Sequence, residues 1–200
     1  DSEESALKYF LLGSFSGSFF VFGVALVFGA TSTTSLGGVA AIVANGSANL
    51  PLLIIGAALM LIGLGFKGAA VPFHMWTPDV YQGAPSAVTA FMSVGAKAAG
   101  FAALMRIFFA TLSITAADLT MVLWVLSALT MFTGNLVAIA QTNIKRMLAY
   151  SSIAHAGYIL MALVTFGDIN LAQNAVGSAL FYLLTYAVTS LGAWAVVIAL

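Results

Sequence analysis

The sequence predicts an all-α membrane protein, a polytopic bundle of about six transmembrane helices, and three observations predict it. Charged residues make up 6% of the 200, against roughly 25% in a soluble domain. Apolar residues make up 62%, and mean hydropathy is +1.10. A soluble core of this size needs a polar coat that this composition lacks. The apolar residues also fall in runs of the length a bilayer demands, about 20 per crossing.

Composition also excludes several function classes. Formal net charge is zero, so nothing points to nucleic acid. There are no cysteines, which rules out thiolate metal sites, iron–sulfur clusters and disulfides. Two histidines far apart make no convincing metal site, so no metal and no cofactor is expected in this chain. The chain opens at Asp1-Ser2-Glu3-Glu4 without an initiator Met and ends at Leu200 inside an apolar run. We read it as a segment of a longer polytopic protein.

The first span covers residues 6–29. A Thr/Ser/Gly loop follows over 30–50, with a small apolar island at 39–43. The second span begins at Pro51, a favoured first helical residue, and runs toward Trp76. The third covers 85–111, the fourth 119–140, the fifth 147–166 and the sixth 171–200. Charge tests this count. With odd spans starting on one side, Lys8, Lys145 and Arg146 share that side with Asp1, Glu3, Glu4 and Asp79. Asp118 and Asp168 fall opposite, and Arg106 lies near that opposite side. Lys and Arg divide three against one, which makes the first side cytoplasmic.

The second span is irregular. Gly63, Gly65 and Gly68 surround Lys67, and Pro72, Pro78 and Pro85 follow. A straight helix over 51–80 would extend about 45 Å, longer than the hydrocarbon. Proline removes a backbone donor and clashes with the preceding turn. A break between Gly63 and Pro72 is therefore expected. A kink for packing would explain the prolines alone. With a lysine beside it, a break that lines an ion path is the better reading, since irregular backbone at membrane depth needs protein or water around it.

The candidate chemistry centres on lysine. A lone ammonium in a hydrocarbon span costs roughly 3 kcal/mol on insertion scales. Lys67 and Lys97 stand in adjacent apolar spans, and Lys97 falls near mid-membrane by helix rise. Its neighbours Ala96, Ala98, Ala99 and Gly100 leave room for close helix approach and water. Burial and nearby charge make such a lysine a switchable proton carrier; a static ion pair or snorkelling is the bland alternative. Snorkelling suits Lys8 and Arg106, near helix ends. His155, some nine residues into the fifth span, reads either as a proton relay or as a packing histidine. Ser151, Ser152 and Tyr158 are placed to hydrogen-bond to it or to water. His74, in the irregular 72–76 turn, reads either as a mouth residue or as an interfacial one. Asn135 is expected to pack or hold water. Trp76, Tyr81, Trp124 and Trp194 suit interfacial belts or core packing. No Asp or Glu lies deep inside any span, so a carboxylate that tunes the lysines must come from outside this segment.

One stretch carries a resemblance: Gly65-Phe66-Lys67-Gly68, continuing through Pro72-Phe73-His74-Met75-Trp76-Thr77-Pro78-Asp79-Val80-Tyr81 to Pro85. Two others agree with it, Ser5-Ala6-Leu7-Lys8-Tyr9 and Lys145-Arg146-Met147-Leu148-Ala149-Tyr150-Ser151-Ser152-Ile153-Ala154-His155-Ala156-Gly157-Tyr158. Over nearly its whole length the chain resembles the subunit N family of proton-pumping NADH:quinone oxidoreductase, respiratory complex I (NDH-1). The Trp-Thr-Pro-Asp-Val-Tyr run separates it from the looser pattern of Mrp-type cation/proton antiporter subunits. The resemblance implies an antiporter-like fold of some fourteen helices with two inverted five-helix repeats, each with one discontinuous helix. This segment would hold the sixth to eleventh helices: the end of the first repeat over 1–111, with its second helix broken, and the start of the second repeat over 112–200.

By similarity, Lys67 matches the seventh-helix lysine and Lys97 the central eighth-helix lysine. His155 matches a tenth-helix position on the polar axis between half-channels, and Lys8 a sixth-helix lysine near the uptake path. The family's fifth-helix glutamate and twelfth-helix lysine would lie outside this segment, so the chain alone should not pump. The resemblance implies a non-redox translocase subunit in the bacterial inner membrane, driven by electron transfer to quinone in other subunits of the respiratory chain. Its partners would be the other membrane-arm subunits, the lipid bilayer, protons and water. A stand-alone Mrp-like cation/proton antiporter subunit is the alternative, and a structural subunit with vestigial lysines a third.

Overall fold

The computed structural model describes residues 2–112, 116–165 and 171–200, and every element among them is helical. Asp1 and Asp168 lie outside the described residues, as does the Asp118 side chain. The elements are α1 (Ser2–Thr31), α2 (Leu36–Ala44), α3 (Leu50–Gly68), α4 (Trp76–Gly83), α5 (Ser86–Phe91), a π-helical turn (Met92–Ala96), α6 (Lys97–Ala110), α7 (Ala116–Ile139), α8 (Ile144–Val164) and α9 (Ala172–Ala199). Six helical stretches among the described residues are long and apolar enough to cross a membrane, as the sequence predicts.

Two elements depart from expectation. The apolar island at 39–43 is part of a short helix, α2, whose Val39 and Val43 are buried in the main core cluster. The third span is not one uniform helix: the π turn separates α5 from α6 immediately before Lys97. An extra residue in a helical turn rotates everything after it by about 100°, so this turn sets where Lys97 points.

Small residues bring the helices together. In α1 and α3, a Cβ on Gly23 would stand 2.7 Å from the Gly56 carbonyl oxygen, and one on Gly56 2.9 Å from the Gly23 oxygen. These backbones touch, a close approach that small residues permit between helices in lipid. The pair α7 and α8 packs the same way, with a Gly134 Cβ falling 2.5 Å from the Ala154 nitrogen. α8 is the most buried of the six spans and packs on α4, α7 and α9. α1, α7 and α9 present large apolar side chains outward, among them Phe10, Phe132 and Phe181. In a bilayer such apolar faces suit lipid tails or further apolar helices.

α3 begins and ends by identifiable means. Asn49 caps it, its Oδ1 accepting from the Leu52 N–H at 3.4 Å, with Pro51 in the first turn. At its far end Ala69 adopts φ 62°, the Ala70 N–H donates to the Gly65 carbonyl at 2.8 Å and the Ala69 N–H to the Phe66 carbonyl at 3.1 Å. This is the reversed hydrogen-bond pair of a left-handed helix cap. The break runs from Ala69 through Met75, later than the 63–72 window the sequence suggests.

Candidate functional site

The break exposes backbone groups at membrane depth, and neighbouring elements satisfy them. The Trp76 indole N–H donates to the Phe66 carbonyl at 2.9 Å. The Val71 N–H donates to Thr130 Oγ1 of α7 at 3.0 Å. An unpaired buried amide costs about 1–3 kcal/mol, so these two side chains make an interrupted helix tenable where no lipid can solvate it. Trp76 is therefore core and structural. Tyr81 and Trp194 are also buried core residues, while Trp124 is exposed as a belt residue would be.

Lys67 sits in the last turn of α3, where the carbonyl end of the helix favours a cation. Its side chain is half-buried. Nζ donates to Tyr9 Oη of α1 at 3.1 Å and lies 5.9 Å from the centre of that ring. Its stem packs against Gly100 of α6, where a Cβ would meet Lys67 Cγ at 3.2 Å. Lys67 thus touches the helix that carries Lys97.

Lys97 is 2% exposed. Its ammonium donates to two oxygens of one residue in α8, the Ser152 carbonyl and Ser152 Oγ, the latter at 2.6 Å. The Tyr186 ring of α9 covers it with the ring centre 5.3 Å away. Tyr186 Oη donates to the same Ser152 Oγ at 2.9 Å, and Tyr81 Oη lies 3.5 Å from it. Among the described residues no carboxylate pairs with Lys97.

His155 lies one turn after Ser152 on α8. Its Nδ1 is 2.6 Å from Tyr182 Oη, and its ring centre is 5.0 Å from that of Tyr186. Ser152, His155, Tyr186, Thr189 and Ser190 give the polar part of the wall of a cavity of about 210 Å³, and Leu148, Ala193 and Trp194 give its apolar part. The π turn reaches the same wall, with Ser93 Oγ 3.2 Å from Ser190 Oγ. The partners expected for His155 differ. Ser152 binds Lys97, Tyr158 accepts from Asn135 Nδ2 at 3.0 Å and meets the His155 ring edge-on, and Tyr182 takes the histidine. No direct hydrogen bond among the described residues joins Lys97 to His155 or Lys67 to Lys97; Ser152 and Tyr186 stand between the first pair.

His74 and Lys8 lie away from this line. His74 is half-buried in the break, with its Nδ1 buried and without a hydrogen bond of good geometry, facing the backbone of Pro72. Lys8 pairs with Glu4 at 2.7 Å and with Asp79 at 2.8 Å, and Arg146 holds the other Asp79 oxygen at 2.6 Å. The cluster ties α1, α4 and α8 at one end of the bundle. Asp79 lies beyond the ends of the spans; the hydrogen bond from Lys8 holds its carboxyl below the usual range, against partial burial and with help from Arg146. Glu4 is exposed and paired with Lys8.

The family described as NADH:quinone oxidoreductase/Mrp antiporter, transmembrane, is matched over residues 1–200. This chain belongs to that family. Within it, the chain is 53% identical over 202 residues to NADH-quinone oxidoreductase subunit N of Chloroflexus aggregans, a match covering all of this chain and 40% of that one. Among solved structures it is similar to a chain of respiratory complex I from Thermus thermophilus, at TM-score 0.76 and 45% identity, over 97% of this chain and 40% of that one. It is also similar to a chain of the Mrp complex from Dietzia, at TM-score 0.81 but 26% identity, over 94% and 33%. Fold similarity alone does not divide the two branches of this antiporter family; sequence identity does, and it favours the oxidoreductase branch. The chain spans about 40% of the length of the subunit N relative and of the Thermus chain.

Proposed function

We propose that this chain is the central part of a proton-translocating membrane-arm subunit of an NADH:quinone oxidoreductase, with Lys67, Lys97 and His155 as the proton-carrying residues. The observation that carries this reading is Lys97: a buried ammonium with no acidic partner among the described residues, held by the hydroxyl and carbonyl oxygens of Ser152, a residue that lines one cavity together with His155. A structural lysine in lipid would be expected to find a carboxylate or reach the interface.

In this reading, redox chemistry in other subunits supplies the energy and this chain supplies the path. A charge change at Lys67 acts on the charge at Lys97 across the low-dielectric interior. The proton released at Lys97 passes through the cavity to His155, whose imidazole both takes and gives a proton. His74 would serve the mouth of the path and Lys8 its uptake end, with Lys8, Lys145 and Arg146 on the cytoplasmic side. Residues 1–111 and 112–200 would belong to successive inverted repeats. The missing acid and the exit lysine would come from the rest of the full-length subunit.

Lys97→Ala in the full-length subunit of the assembled complex should lower NADH-driven proton transport by at least about tenfold, below the usual contribution of a positioned proton carrier. Normal transport in that variant contradicts the reading. The fold similarity to the Mrp chain supports a second one, a cation/proton antiporter subunit. Proton movement stimulated by Na⁺ or K⁺ in the full-length protein without a redox partner would favour it.

A further inference from the structure

We propose that Ser152 is the positioning residue of Lys97: it holds the loaded ammonium and hands the proton to the cavity, with the Tyr186 hydroxyl fixing its orientation. The proposal deepens the proton-relay reading and rests on it.

Geometry carries the argument. Two of the three ammonium donors of Lys97 meet oxygens of one residue, and the third side of the ammonium faces the Tyr186 ring. The Ser152 carbonyl lies within α8, and a carbonyl has two lone pairs, so it serves the helix and the ammonium together. A buried ammonium without a carboxylate keeps its charge only through such contacts. Ser152 supplies all the hydrogen-bond acceptors that Lys97 has among the described residues, and both come from a single position.

The hydroxyl does more than hold. Ser152 Oγ accepts from Lys97 at 2.6 Å and from Tyr186 at 2.9 Å. Both lone pairs are then occupied, and the hydroxyl hydrogen turns to the remaining space, the Tyr81 side or the cavity. Tyr81 is 1% exposed, a closed end. The cavity, at about 210 Å³, has room for several waters. The one polar route from Lys97 to that cavity among the described residues runs through Ser152 and its partner Tyr186.

The transfer balances. The Lys97 Nζ–H bond breaks as a new Oγ–H bond forms on Ser152, while the original Ser152 O–H proton passes to a cavity water. Lys97 is left as a neutral amine, Ser152 is again a neutral hydroxyl, and the water carries the added proton until His155 takes it. Reloading from the Lys67 side returns a proton to Nζ, and the pair of Ser152 oxygens receives the ammonium again. Tyr186 keeps its own proton throughout and serves to aim the serine.

The test uses the full-length subunit in the assembled complex in membrane vesicles, comparing NADH-driven proton uptake in Ser152→Ala, Ser152→Thr, Tyr186→Phe and the Ser152→Ala/Tyr186→Phe pair, with Lys97→Ala alongside. Ser152→Ala should slow proton uptake by roughly tenfold, the scale of one lost charge-assisted hydrogen bond. Ser152→Thr, which keeps the hydroxyl, should restore at least half the rate. Tyr186→Phe should slow it about threefold and add nothing on the alanine background, because the two hydroxyls act as one unit. Wild-type uptake in Ser152→Ala, a threonine variant no better than alanine, or fully additive losses would each overturn the proposal. If the serine variants do not assemble, Tyr186→Phe decides, and wild-type uptake there overturns it. A normal Ser152→Ala beside an inactive Lys97→Ala removes the serine and leaves the relay, whereas a normal Lys97→Ala removes the relay itself.

Discussion

Lys97 is a charge kept where charge is expensive. Its ammonium is not paired with an acid among the described residues but chelated by Ser152 and roofed by Tyr186. Lys67 is held more loosely, by a hydrogen bond to Tyr9. That difference fits a pair in which one site exchanges with its surroundings more readily than the other. The charged cluster at the bundle end works by other rules. Asp79 is paired on both oxygens, and its acidity is raised in the folded protein mainly by Lys8. A carboxyl with a lower folded pKa stabilises the fold above its unfolded value, and that contribution is lost as pH falls through the folded one. The folded protein in detergent should therefore lose thermal stability on acidification below the ordinary carboxylate range, and Asp79→Asn should flatten that dependence. The effect should be small because the pairs are partly exposed. An unchanged acid limb in Asp79→Asn would contradict it.

The lysines were legible in the sequence because a charge inside an apolar run stands alone. Ser152 was legible as a hydrogen-bonding residue but not as the partner of Lys97, and Tyr9, Tyr182 and Tyr186 were not legible at all. A hydroxyl in a membrane span is common, and the partners here are 55, 34 and 58 residues apart. Only the i, i+3 spacing of Ser152 and His155, and the i, i+4 spacing of Tyr182 and Tyr186, hinted that two helix faces meet.

At the scale of the elements, the broken helix is the feature that sequence reasoning reached best and still misplaced. Glycines and prolines marked 63–72, yet the chain turns at Ala69–Met75. Gly63 and Gly65 are used for packing instead: a Cβ on Gly63 would stand 2.6 Å from Phe20, and one on Gly65 3.1 Å from the Phe73 ring. The left-handed residue is Ala69, which composition does not mark. The π turn before Lys97 contains Gly95, but a lone glycine does not mark a π turn, and only the assembled helix reveals it. Because Thr130 satisfies the amide freed at Val71, Thr130→Val keeps the volume and leaves that N–H unpaired. It should cost about 1–3 kcal/mol of stability, read by detergent unfolding of the purified protein. A Val variant as stable as the parent would show that the break finds its partner elsewhere.

Across the whole molecule, six apolar crossings among the described residues, packed closely through small residues, place a polar line inside a body with scarcely any charge. α8 is central to it: it carries Ser152 and His155, it packs on α4, α7 and α9, and its Arg146 closes the charged cluster at the other end. The span count and the family could be read from composition and motif. The line itself could not, because it is assembled from α3, α6, α8 and α9 only when they meet. Transport assays read this line through the full assembly, while ordered water reads it in place. The decisive measurement is a high-resolution map of the intact complex around Lys67, Lys97 and His155. The account predicts ordered water in the cavity beside Ser152 and Tyr186, hydrogen-bonded through to His155. A cavity filled by an apolar side chain or a lipid tail, with no polar connection from Lys97 to His155, would contradict it.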